Sequence, residues 1–185
     1  MIYVVSDLHL EHGNIIEYCD RPFESVGEMN RTLVENWNDV VGPNDTVLFL
    51  GDLVPFEDRE HVVLNWLDEL EGTIVFVEGN HDEAIPITSH EFLTYETTNV
   101  DLYLTHYPRD IPDDWNGWGI YGHHHNNDVE RYPFVDPAKR RINASVELVG
   151  FEPVPIPELV GYIEEKRHLV VRPGTEREDA LQSSL

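Results

Sequence analysis

Positive charge is scarce in this sequence: among its 185 residues, 12 Lys and Arg stand against 36 Asp and Glu, and the lysines are Lys139 and Lys166 alone. A net charge of −24 repels polyphosphate backbones. Nonspecific binding to duplex nucleic acid, which depends on basic side chains displacing counterions, is therefore disfavoured. Cysteine is nearly missing. The single Cys19 permits no internal disulfide and no thiolate zinc site, which points to an intracellular setting. Following Ile15, Ile16 and Tyr18, it reads as a core residue. Long apolar runs are missing too. The opening "MIYVVSD" is too short for a signal-peptide core or a membrane span, so the expectation is a soluble, cytoplasmic chain with no membrane partner. An acid-rich, Lys-poor surface is what a high-salt cytoplasm would screen, and it points to a halophilic source.

What is present is enough apolar material for a core: 41% hydrophobic residues, 10% aromatic. The length suits one domain, expected over residues 1–172, with 173–185 a polar tail lacking ordered structure. Short apolar runs rich in β-branched residues recur in "MIYVVSD", "DTVLFLGD", "GTIVFVEGNHD", "VDLYLTHYP" and "GWGIYGHHH"; runs of this kind predict buried strands. Between them lie two helical stripes. One is Met29, Leu33, Val34, Trp37, Val40 and Val41, closed by Gly42 and Pro43; the other is Val62, Val63, Trp66, Leu67 and Leu70, closed by Gly72. "RINASVELVG" places Ile142, Ala144, Val146 and Leu148 on one face and predicts a strand exposed on the other, and "PIPELVGYIEEKR" predicts a closing helix. Strands alternating with helices predict an α/β fold.

Every strand-like run ends in residues able to bind a cation. They are Asp7 and His9 (D-x-H), Asp52 (G-D), Asn80, His81 and Asp82 (G-N-H-D), His106, then His123 and His125 in G-H-H-H. A lone Asp after a strand is commonly a turn former or helix cap. Several such endings in order carry more weight, because open α/β sheets bind ligands at the carboxyl ends of their strands. Mixed carboxylate, imidazole and amide donors suit two divalent cations with a carboxylate bridging them. Side-chain alternation along an extended segment would put His123 and His125 on one side and His124 on the other, away from the metals.

In this order, from Met1 to about Asn126, the motifs resemble those of the calcineurin-like metallophosphoesterase superfamily; "SDLHLEHGNII" with "RPF" is similar to a small, uncapped prokaryotic branch of it. The resemblance implies the metallo-dependent phosphatase fold, a four-layer α/β/β/α sandwich of two mixed β-sheets flanked by helices. It implies a first metal held by Asp7, His9, Asp52 and His125, and a second held by Asp52, Asn80, His106 and His123. His81 would be catalytic, facing the phosphoryl oxygens and assisting the leaving group, and Asp52 would bridge. The implied activity is metal-dependent hydrolysis of phosphoric esters by in-line attack of a metal-bridging hydroxide. Manganese is the favoured cofactor, with iron, zinc, nickel or cobalt as alternatives. A small phosphodiester or nucleotide is the favoured substrate, since no cap domain and few cations are evident. A phosphomonoesterase, or a non-catalytic metal-binding scaffold of the same fold, are the alternatives. In the Ser/Thr phosphatase branch the third residue after the bridging Asp is another Asp that orients the catalytic His. Here it is Pro55, which leaves Asp82, Glu57 or Asp58 as partners for His81 and argues against a protein phosphatase.

His12, Arg21 and Arg109 lie on loops where they could line a phosphate site; the competing readings are a turn cap for His12 and surface ion pairs for the arginines. His61, His90 and His168 fall outside the motifs and read as structural or solvated. Trp115 and Trp118 read as packing beneath a loop rather than as a platform for a substrate base. Oligomeric state leaves no mark on the sequence.

Overall fold

The computed structural model describes residues 1–55, 60–82 and 87–175. The chain runs β1 (Ile2–Val5), α1 (Gly13–Tyr18), α2 (Val26–Val40), β2 (Thr46–Phe49), α3 (Glu60–Glu69), β3 (Thr73–Val77), β4 (Ser89–His90), β5 (Phe92–Glu96), β6 (Asp101–Thr105), β7 (Trp118–Tyr121), β8 (Val135–Asp136), β9 (Arg141–Asn143), β10 (Val154–Pro155) and α4 (Ile156–Glu165). Two mixed five-stranded sheets result, ordered β10-β1-β2-β3-β4 and β5-β6-β7-β9-β8. The helices flank them.

The apolar runs make the parallel centres of both sheets. β1, β2 and β3 pair in parallel, with Val4 beside Leu48 and Leu48 beside Val75; β6, β7 and β9 do the same, with Leu104 beside Ile120 and Ile120 beside Ile142. The half-exposed β5 runs antiparallel at one edge of the second sheet, where a strand needs only one apolar face; the short β8 at the other edge is also antiparallel but buried. α2 forms where Ser25 caps it, accepting from Glu28 N at 3.2 Å, and its stripe of Met29, Leu33 and Trp37 is fully buried. Trp37 packs near Phe49 of β2, ring centroids 6.3 Å apart, and donates Nε1–H to Glu71 O at 3.0 Å. Thus a wide aromatic fills the core while its one polar atom stays satisfied.

The two sheets meet at the carboxyl ends of their central strands. Ser6 N donates to Ala144 O and Val146 N donates to Ser6 O, both at 3.0 Å, while Ala144 N reaches Tyr121 O at 2.7 Å. This junction alters one expectation. "RINASVELVG" is a strand only through Asn143, and the face predicted to be solvated is buried: Asn143, Ser145 and Glu147 are 0–1% exposed. Both sheets press on that segment, so its polar side chains bond to protein instead of water. Farther on, Leu169 bridges to Val135 and Arg172 pairs with Glu152 and Glu158, each at 2.7 Å. Thr175 Oγ1 donates to Arg172 O at 2.9 Å; most of the expected tail, 176–185, lies outside the described residues.

Candidate metal centre

The polar residues follow β1, β2, β3, β6 and β7 directly and converge on the sheet junction. Their backbone is unusual. Asp7, His9, Asp52, His123 and His125 all have positive φ, between 49° and 71°, a left-handed conformation costing about 1–2 kcal/mol for a residue with a Cβ. Strain gathered on the donors themselves is characteristic of functional sites. It also changes the account of the histidine triplet, which is a pair of left-handed turns and not an extended segment. His124 does turn away, but through those turns, and it stacks on Tyr132 with centroids 3.6 Å apart. The motif glycines make room: a Cβ on Gly122 would collide with Ser6 Oγ and the Asp7 carboxylate, and one on Gly79 with the Asp52 carboxylate.

Among the described residues four sets of donor atoms lie within 4.8 Å of one another: Asp7 with His9 and His125, Asp52 with His106 and His123, His9 with Asp52 and His81, and, behind the centre, Cys19 with His125 and Glu147. Asp52 joins the first two, its Oδ2 standing 3.4 Å from His9 Nε2 and 3.5 Å from His106 Nε2. Asn80 Oδ1 sits 3.2 Å from His106 Nε2 and 2.9 Å from His123 Nδ1, and His125 Nε2 is 4.0 Å from Asp7 Oδ1. His9 Nε2 is buried without a hydrogen-bond partner, although such an atom normally has one. A cation among these nitrogen and oxygen donors would satisfy it, so the residues fit a divalent metal.

Outer partners turn the rings. The Nδ1 of His106 faces Leu50 O at 2.8 Å, that of His125 faces Glu147 Oε1 at 3.0 Å, and that of His9 faces His12 Nδ1 at 3.2 Å. With a proton on each of these ligand-candidate Nδ1 atoms, the Nε2 lone pairs of all three rings face the centre. Burial lowers the pKa of His9, and burial with neighbouring histidines lowers His12 and His123 to about 4. Burial works against the Asp52 charge, yet the adjacent His9 and His106 rings hold its carboxyl well below the usual range. His125 goes the other way: burial opposes its charge, but Glu147 and Asp7 raise it well above 6.5.

His81 stands beside this cluster, its ring 5.2 Å from that of His9 and its backbone N–H donated to Asp52 Oδ1 at 2.9 Å. Asp82 is not its partner. Both Asp82 oxygens are occupied by backbone N–H groups, from Asp52 at 2.6 Å, Gly79 at 2.8 Å and Leu53 at 3.2 Å. Asp82 thereby ties the loop after β2 to the loop after β3. Burial and the Asp52 charge push its pKa up to about 6 despite those donors. Glu57 and Asp58, the other two partners considered for His81, lie outside the described residues.

Arg21 is not available to a substrate phosphate, nor is it a surface ion pair. It is 4% exposed. All five of its N–H bonds are used: Nε and Nη2 on Glu147 Oε1 at 2.9 and 2.7 Å, Nη2 also on Asp7 O and Nη1 on Leu8 O, both at 2.8 Å, and Nη1 on Met29 Sδ at 3.3 Å. The other two substrate-binding candidates stay near the mouth. His12 contacts His9 and lies 6.3 Å from His81, centroid to centroid. Arg109 is exposed, 3.8 Å from Asp110, and covers the Tyr107 ring at 4.0 Å; that ring is itself 4.3 Å from His123. His61, His90 and His168 are exposed. Trp118 is buried in β7, and Trp115 donates to its carbonyl at 3.2 Å.

The model of the family described as calcineurin-like phosphoesterase matches residues 1–167, a span that holds every one of these strand ends. The chain belongs to the calcineurin-like phosphoesterase family. An uncharacterised protein of Methanocaldococcus jannaschii is 42% identical over 165 residues, 89% of this chain and 92% of that protein. The gene 66 protein of Mycobacterium phage L5 is 33% identical over 86 residues, 46% of this chain and 41% of the phage protein. Among solved structures, a protein of unknown function from Aquifex aeolicus superposes with a TM-score of 0.65 at 24% identity, covering 88% of this chain and 99% of that one; this likeness concerns the fold. Among the described residues, no helix of this calcineurin-like phosphoesterase is long and apolar enough to cross a membrane. Sequence reasoning passed over two features of the site. Alternation alone puts Glu147 on an exposed face, and Arg21 reads as a substrate contact or a surface ion pair; a lone Glu between Val146 and Leu148 is the one available signal of burial.

Proposed function

We propose that this protein is a dinuclear metal-dependent phosphoesterase acting on a small phosphodiester or nucleotide. Asp7, His9, Asp52 and His125 hold one cation; Asp52, Asn80, His106 and His123 hold the second. The observation that carries this reading is the position of Asp52 Oδ2 between His9 Nε2 and His106 Nε2, at 3.4 and 3.5 Å, beside the orphaned His9 nitrogen. When bound there, divalent cations, manganese first among the candidates, supply positive charge for the phosphoryl oxygens and lower the pKa of a coordinated water.

The chain's own part is positioning and proton transfer. Asp52 accepts the His81 N–H and so fixes the backbone that carries the His81 ring over the cluster. His81 donates a proton to the departing oxygen. His12, with its Nδ1 on His9, and Arg109, at the rim over Tyr107, contact the ester. With Arg21 withdrawn into the core, few cations remain to grip a dianionic monoester, which favours a diester. The acidic surface disfavours duplex nucleic acid and fits a halophilic source.

The test is hydrolysis of matched aryl phosphodiester and monoester substrates by manganese-loaded protein, native and Asp52→Asn. The diester is turned over faster, and Asp52→Asn lowers kcat/KM by about 100-fold or more. Activity that survives the substitution refutes the dinuclear mechanism. Two bound metals with no turnover of either ester refute catalysis on such esters and support the scaffold.

A further inference from the structure

Behind His125 lie two opposite charges whose side chains are 0% exposed, Arg21 and Glu147. We propose that Glu147, clamped by Arg21, is a positioning residue for cation binding: it holds His125 through Nδ1, keeps Nε2 facing Asp7, and thereby sets the affinity of that half of the centre. The inference rests on the reading above that His125 is a ligand.

The geometry separates this role from that of an ordinary buried ion pair. Glu147 Oε1 alone accepts from Arg21 Nε, Arg21 Nη2 and His125 Nδ1, at 2.9, 2.7 and 3.0 Å. Glu147 Oε2 is buried with no hydrogen-bond partner. A carboxylate serving stability alone would divide its donors between its oxygens, since a buried unmade acceptor is costly. Replacing a buried ion pair by apolar residues is often no loss to a fold; loading one oxygen with both the guanidinium and an imidazole is useful when the imidazole must be aimed.

Arg21 extends the device to the other side of the site. While its Nε and Nη2 hold Glu147, its Nη2 and Nη1 hold the carbonyls of Asp7 and Leu8, both at 2.8 Å. The segment carrying Asp7 and His9 leaves the first sheet and His125 leaves the second; the His123 N–H, donated to the Asp7 carboxylate oxygens at 3.1 and 3.0 Å, ties the loops at one point but leaves the His125 ring to be aimed from behind. Arg21 and Glu147 together span that gap. Their charges cancel, so the imidazole gains an electron-rich partner, which strengthens a ligand, while the centre gains no net charge.

The experiment is a titration of the metal-free full-length chain with Co2+, read by visible absorption and by competition with a chelator, for native protein, Glu147→Asp and Glu147→Gln. The aspartate keeps the charge that Arg21 requires but withdraws the oxygen from His125. The glutamine keeps the reach but gives up the charge. Native protein is expected to bind two Co2+ ions. Each variant is expected to bind one as native does and the other about 10–100-fold more weakly, with a changed absorption band for the weakened ion and, for Glu147→Asp, a metal-free melting temperature close to native. Unchanged affinities for both ions overturn the inference, as does an equal loss of both together with a fall in metal-free stability, which marks a purely structural charge. If Glu147→Gln does not fold, Glu147→Asp alone decides. Native protein that binds no Co2+ overturns the proposed function and this inference with it; native protein that binds two ions while the variants do the same overturns this inference alone.

Discussion

His123 and His125 are two residues apart and sit in opposite electrostatic settings. Burial and His106 lower His123 to about 4, so it is neutral, and able to bind a metal, throughout the physiological range. His125 is raised well above 6.5 by Glu147 and Asp7 against the effect of its burial, so the metal-free protein holds a proton there. A raised folded-state pKa adds stability that is complete below the unfolded value of 6.5 and is lost as pH rises through the folded value. Scanning calorimetry of chelator-treated protein should therefore show the melting temperature falling as pH rises above 6.5, while cation affinity rises over the same range because proton and metal compete for Nε2. A flat profile, or an equal slope in His125→Asn, would contradict this. Asp82 makes the second prediction at this scale. Both Asp82 oxygens accept backbone N–H groups, so Asp82→Asn sets an NH2 against at least one of these donors whichever way the amide turns; a loss of about 1–3 kcal/mol by urea unfolding is expected, together with weaker metal binding as the Asp52 loop loosens.

At the scale of elements, periodicity was a good guide wherever one face met the core. The stripe of α2 was legible because Met29, Leu33 and Trp37 recur at helical spacing, and the parallel strands because their runs are apolar on both faces. The segment after Asn143 misled, since alternation separates two faces without showing which one is wet. The turns bearing the donors were also illegible: five left-handed residues are held by the site around them and carry no turn signature of their own. The motif glycines are where an element constrains the site. Gly122→Ala would force a methyl group against Ser6 Oγ and the Asp7 carboxylate. Elemental analysis after manganese loading should show less metal per chain in this variant, with melting of the metal-free protein altered less; full metal content would show that the close approach is not required.

For the whole molecule the dominant fact is the net charge of −24. Like charges spread over one surface repel, and the repulsion is relieved as salt shortens the screening length. The melting temperature should rise from low to molar KCl. A flat or falling trend would remove the argument for a halophilic source. Cations held at the candidate centre would offset locally what that surface imposes on an anionic ligand.

The sequence by itself determined the donor set, its order along the chain and the sheets that carry it, because each donor stands directly after an apolar run and that relation is local. It also supplied the family, whose motifs are short and intact here. Only the tertiary structure decided which way the donors face and what holds them. Arg21 meets Glu147 across 126 positions, and Asp82 meets Asp52 across 30; neither pairing follows from spacing. Whether a polar side chain is a surface charge or a buried tie depends on what packs over it, and that is a property of two sheets closing on one junction.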